Sequence, residues 1–309
     1  MAAHSDKKVI IAALIGNGCI AIMKFAVAVL SGSAAMLAEG FHSVADTGNQ
    51  IMLLVGQNRS KRPPDERHPF GYAKEIYFWA FAVAVSMFFI GAGLSIYEGV
   101  KKLIHPEPIR TLHLPLIVLG LSVLLEAYPW LIAFKAAKKI KRKQGFSGYL
   151  DMMSRSKNPV VMVVLIEDSA AMIGLVVAGI GITLAHQTGM PVFDALASIV
   201  IGILLFFVAI ILARETKELL IGESATKKDR ARIMEVLKAV PEISVCGSLL
   251  TMHLGPDDIL VNLDVEFADR LSTDELEAVI DKIETGIREA VPAVKKIYIE
   301  AESIRQRKR

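Results

Sequence analysis

Four residues in one apolar stretch have the types and spacing to hold a divalent cation. Glu39, His42, Asp46 and Asn49 stand at offsets of 3, 7 and 10, which places all four on one face of a helix. His42 and Asp46, four residues apart, reach a common point. A neutral imidazole and a carboxylate suit zinc or another first-row divalent ion. A second apolar stretch carries Glu167 and Asp168 side by side. Two neighbouring carboxylates in apolar surroundings cannot both stay charged and unpaired. A dication resolves that conflict, and so does a proton. Adjacent helical residues point about 100° apart, so only one of the pair faces such an ion directly. The competing reading of both stretches is a polar face used for hydrogen bonds between helices.

These residues need helices to position them, and the composition supplies the setting. The chain has 309 residues, 53% of them hydrophobic, at a mean hydropathy of +0.47. A membrane helix takes roughly 20 mostly apolar residues. Six segments qualify: 9–30, 34–55, 76–100, 114–137, 159–185 and 192–213. Ionisable groups inside such segments are costly and point to function. Glu126, in the fourth, has no basic residue on its own helical face. It reads as a proton carrier, an outer partner of the metal site, or a satisfied structural acid. Asn49 and Glu39 are further candidates for an outer shell or proton relay. Lys24 and Glu98 are explained by snorkelling to the interface.

Charge sets orientation and excludes some functions. Basic residues precede the first segment and follow the second and fourth, which places both chain ends in the cytoplasm for six spans. The net charge of +3 argues against a nucleic-acid partner. Cys19 and Cys246 form no disulfide framework and no cysteine zinc site. The first residues run into an apolar stretch without a small-residue cleavage site, so no removed signal peptide is expected. No phosphate-binding Gly-rich loop is present, so a proton gradient is the expected energy source, and no organic cofactor is called for. A HExxH-type helix is also missing, which argues against an intramembrane metallohydrolase.

After residue 213 the pattern becomes that of a soluble domain. Residues 227–240 read as an amphipathic helix ending at Pro241. Residues 244–254 and 259–267 alternate like strands around a Gly255-Pro256-Asp257-Asp258 turn. Ser272 to Glu275 opens a second helix, and 294–301 is a third strand. The order α-β-β-α-β predicts a ferredoxin-like layer of helices on a sheet. The expected fold is thus membrane α-helical, with six transmembrane helices in residues 1–213 and a cytoplasmic α+β ferredoxin-like domain in 214–309.

The stretch SGSAAMLAEGFHSVAD, Ser31 to Asp46, resembles the signature of the cation diffusion facilitators. HPFGYAKE from His68 to Glu75, Asp194 and the Gly255-Pro256 turn are similar too. HSVADTGNQ and LIEDSAA resemble the zinc-transporter-9-like subgroup most. The resemblance implies a homodimer in the lipid bilayer that exports divalent metal, mostly Zn2+, in exchange for protons. Mn2+, Co2+ and Fe2+ are the alternative cargoes, and a non-transporting membrane sensor or scaffold is the other reading. The expected setting is a bacterial inner membrane.

The family's central site uses two residues four apart in each of the second and fifth segments. Here that implies His42, Asp46 and Asp168. The remaining position falls on Val164, for which Glu167 stands in. A loop site implied by Asp65 lacks its histidine, because Tyr72 occupies that place. The soluble-domain metal positions fall on Asp264, Glu300 and Glu302, without imidazole, so tight zinc binding there is not expected. Lys74 matches a lysine of a charge interlock near the membrane surface, with Glu223 as its candidate partner.

Overall fold

The computed structural model describes residues 2–144, 147–148, 152 and 159–301, with backbone alone for 2–16, 143 and 144. The chain divides into two compact units. One comprises residues 1–58 and 76–217, the other 59–75 and 218–309.

The first unit is built from long helices: α1 (Ala2–Ser31), α2 (Ala34–Arg59), α3 (Glu75–Ile104), α4 (His113–Gln144), α5 (Pro159–Thr188) and α6 (Val192–Ile221). Four of them, α3 to α6, are long and apolar enough to cross a membrane. The polar face of α2 lowers its hydropathy, and the described apolar part of α1 is the shorter Asn17–Ser31. Large apolar side chains point outward along the bundle, among them Val29, Phe89, Ile117, Leu124 and Phe207. An outward apolar surface of that extent suits lipid rather than water. The hairpin between α1 and α2 turns at Gly32, whose φ of 70° is left-handed backbone that a side chain would oppose.

Small residues set the helix spacing. Met87–Gly93 of α3 is π-helical, and the Ser95 hydroxyl donates to the Gly91 carbonyl at 2.6 Å. Just below, α3 and α6 touch backbone to backbone. A Cβ on Gly202 would lie 2.5 Å from Ile96 Cγ1 and 3.0 Å from the Ala92 carbonyl oxygen. A Cβ on Gly99 would lie 2.8 Å from the Ala195 carbonyl oxygen. Gly202→Ala therefore forces the two helices apart and is expected to destabilise the membrane unit by about 1–3 kcal/mol. A lower melting temperature of the purified variant checks this, and an unchanged one contradicts it.

The second unit is a three-stranded sheet with two helices: α7 (Lys227–Lys238), β1 (Ile243–Gly255), β2 (Asp258–Phe267), α8 (Thr273–Ala290) and β3 (Val294–Ala301). The strand order is β1-β2-β3, with β1 antiparallel and β3 parallel to β2. Ile259, Val261, Leu263 and Val265 alternate inward along β2. They meet Ile233 and Leu237 of α7 and Val279, Ile283 and Ile287 of α8 in one core. Ser272 and Glu275 form a reciprocal capping box that starts α8.

Candidate metal centre

The α2 residues singled out by spacing are buried together. Relative exposure is 0% for Glu39, 1% for His42 and 0% for Asn49, while the Asp46 side chain keeps 20%. The His42 Nδ1 to Asp46 Oδ1 distance is 3.4 Å, as the four-residue spacing requires. Across from them on α5, Glu167 is 5% exposed. Its Oε1 accepts a hydrogen bond from Asn49 Nδ2 at 2.5 Å. The Asp46 and Glu167 carboxyls lie within hydrogen-bonding reach of each other. Two carboxyls in that contact need a shared proton or a cation between them.

The polar atoms of this cluster are only partly satisfied. Both ring nitrogens of His42, Asp46 Oδ1, Asn49 Oδ1 and Asp168 Oδ2 are buried without a hydrogen-bond partner. Buried polar atoms cost free energy unless paired, and a site for a ligand is one reason to keep them open. Among the described residues, no three His, Cys, Asp or Glu side chains already stand at metal-holding positions. Donor atoms are therefore gathered on α2 and α5 without a preformed three-residue cluster among the described residues.

The relative roles within the Glu167-Asp168 pair follow from helix rotation. Glu167 faces α2 and contacts Asn49 and Asp46. Asp168 is less deeply buried and stands in electrostatic range of Glu167 and of Glu126 on α4. It makes no hydrogen bond to His42 or Asp46 among the described contacts. Val164, one turn earlier, packs with other apolar residues.

A buried charged residue that the sequence reading places at the interface lies on α1. Lys24 does not snorkel. It is 0% exposed, and its Nζ donates to Ser43 Oγ at 2.8 Å, Glu39 Oε2 at 3.0 Å and Glu126 Oε1 at 3.1 Å. Glu126 thus has a basic partner, supplied by another helix rather than its own. The available signal was depth. Lys24 precedes the end of α1 by seven residues, about 10 Å of helix, too far for its side chain to reach the interface. Glu98 does lie at the periphery, paired with Lys101 at 3.2 Å.

Asp194 of α6 anchors the start of α2. Its carboxylate accepts from Ser33 Oγ at 2.5 Å, Ala34 N at 2.7 Å and Ala35 N at 3.3 Å. It also pairs with the buried Lys102 of α3 at 2.7 Å. Ser33 caps the helix through Met36 N at 3.1 Å. A carboxylate at the N-terminus of α2 also suits the helix dipole.

The weaker candidates lie in the second unit. Asp65 accepts from the Tyr72 hydroxyl and the His68 backbone amide, both at 2.7 Å. The Tyr72 hydrogen bond, with that amide, holds the Asp65 carboxyl below the usual carboxylate range. Asp264 accepts from the Ser248 hydroxyl and pairs in register with Glu300 on β3. Glu302 lies outside the described residues. Lys74 Nζ donates to the Leu220 carbonyl at 3.4 Å.

With this geometry in view, the relatives are informative. Residues 10–221 match the cation efflux transmembrane domain, and 225–304 match the cytoplasmic domain of cation efflux proteins. The proton-coupled zinc antiporter SLC30A9, mitochondrial, of Xenopus laevis is 36% identical over 266 residues, covering 86% of this chain and 47% of that protein. Its human counterpart is 34% identical over the same length and coverage. Metal tolerance protein C4 of Arabidopsis thaliana is 33% identical over 264 residues, 85% of this chain and 57% of that one. The chain spans about half the length of these curated relatives. The expected bacterial inner membrane is overturned, because the similar antiporters are mitochondrial proteins of animals. A multi-pass membrane protein with an α+β domain remains. The chain belongs to the cation efflux, or cation diffusion facilitator, family, and within it resembles the zinc-transporter-9-like subgroup.

Proposed function

We propose that the chain moves Zn2+ across a membrane in exchange for protons, by alternating access at the α2–α5 cluster. The observation that carries this reading is the buried set His42, Asp46, Asn49 and Glu167, with ring nitrogens and carboxylate oxygens left open. His42, Asp46 and Glu167 bind the ion, and Asp168 joins as the helices close. Protons compete for the same atoms, because a protonated imidazole or carboxylic acid binds metal poorly. The name of the similar antiporters supports the choice of zinc and proton coupling.

In this reading all six long helices cross the membrane, so the two chain ends share a side. Residues 1–213 form the transport domain. Residues 214–309 form a ferredoxin-like domain that joins two copies into a homodimer. The mitochondrial relatives favour a eukaryotic organellar membrane. One nitrogen among several carboxylate oxygens is a harder donor set than typical zinc sites, which makes Mn2+, Co2+ and Fe2+ the competitors to test.

Calorimetry on the full chain in nanodiscs compares the four ions directly. Zinc is expected to bind tightest and to be displaced last. Tighter binding of manganese than of zinc would replace zinc as the substrate.

A further inference from the structure

We infer that Lys24 is a positioning residue of the metal site. It is a tethered internal cation that keeps Glu39 and Glu126 out of the ligand set and weakens the hold on the dication enough for release. This rests on the transport reading above.

The geometry sets Lys24 beside the site. Its third hydrogen bond goes to Ser43, the residue next to His42. An ammonium has three donors, and here all three are used, on two other helices. Each carboxylate that it holds keeps one oxygen open: Glu39 Oε1 and Glu126 Oε2 are buried without a partner. Glu39 Oε1 lies against α5 as well, where a Cβ on Gly174 would come within 2.7 Å of it. One lysine serving as a helix staple needs one carboxylate. Two carboxylates leave oxygens that a second cation would take if the ammonium were gone.

The chemistry follows from charge count. Without Lys24, Glu39 and Glu126 would join Asp46, Glu167 and Asp168 near one imidazole. Affinity for a hard divalent ion rises with the number of charged ligands. A transport site must bind well enough to load and weakly enough to release. A fixed positive charge in a low-dielectric interior opposes a second cation strongly. Lys24 therefore sets the affinity at a level compatible with turnover.

The test splits affinity from rate. Zinc binding to the full chain in nanodiscs and zinc uptake into proteoliposomes are measured for wild type, Lys24→Met and Lys24→Arg. Lys24→Met is expected to bind zinc roughly tenfold tighter while taking it up at least about tenfold more slowly. Lys24→Arg, which keeps the charge, brings the affinity most of the way back. A purely structural role predicts weaker binding in Lys24→Met, and weaker or unchanged binding overturns the inference. Should Lys24→Met fail to fold, Glu126→Gln reads the same field with opposite sign. It leaves the lysine less neutralised and is expected to weaken zinc binding several-fold, and an unchanged affinity overturns the inference. A wild type that does not bind zinc overturns the transport reading, and this inference with it. A wild type that does bind, with no tightening in Lys24→Met, overturns this inference alone.

Discussion

Under the proposed function, Asp46→Asn is expected to abolish zinc uptake and lower zinc affinity by at least about a hundredfold. The change keeps the size and polarity of the side chain but removes a charged oxygen ligand from a site with few. Glu167→Gln is expected to have an effect of the same order. Its amide oxygen still accepts the Asn49 hydrogen bond seen at 2.5 Å, so a loss reports ligation rather than helix packing. Asp168→Asn is expected to have the smaller effect, about tenfold, because Asp168 is less buried than Glu167. Binding and uptake measured on folded variants, checked by size exclusion, decide the order. Near-normal uptake in Glu167→Gln, with loss in Asp168→Asn, would invert the assignment and put the ion on the other side of α5.

Asp194→Ala is expected to give the largest stability loss away from the site. The carboxylate accepts from one hydroxyl, two backbone amides and the buried Lys102 ammonium. Removing it leaves Lys102, 8% exposed, as an uncompensated buried charge. Breaking a buried pair in this way costs about 3–5 kcal/mol, and the lost cap of α2 adds about 1 kcal/mol. Asp194→Asn still accepts from the amides and should lose less. Denaturant or thermal unfolding in detergent reads the difference. A melting curve for Asp194→Ala that overlays the wild type would show that α2 is held by other contacts. Because α2 carries His42 and Asp46, the destabilised variant should also transport poorly.

Local pattern made part of this legible. The offsets along α2 put His42, Asp46 and Asn49 on one face because helical geometry is local. The strands and the capped helix of the soluble unit follow from alternation and from Ser272-Glu275 for the same reason. Contacts between distant helices were not legible. Lys24 meets Glu126 across 102 residues of sequence, and Asp194 meets Ser33 across 161. Nothing in the spacing of either residue encodes its partner. The choice between Glu167 and Asp168 needed the rotation of α5 against α2, which a 100° offset poses but does not answer. The membrane that houses the chain was misjudged because apolar segments fit any bilayer. Relatives, not composition, corrected it.

The central claim is exchange of zinc for protons at the α2–α5 cluster. The most direct measurement loads proteoliposomes of the full chain with a pH-sensitive dye and adds zinc outside, with Asp46→Asn vesicles as the control. The account predicts a zinc-dependent proton flux opposite to zinc uptake in the wild type and none in Asp46→Asn. Zinc uptake with no accompanying proton movement, or equal proton flux in both proteins, would contradict it.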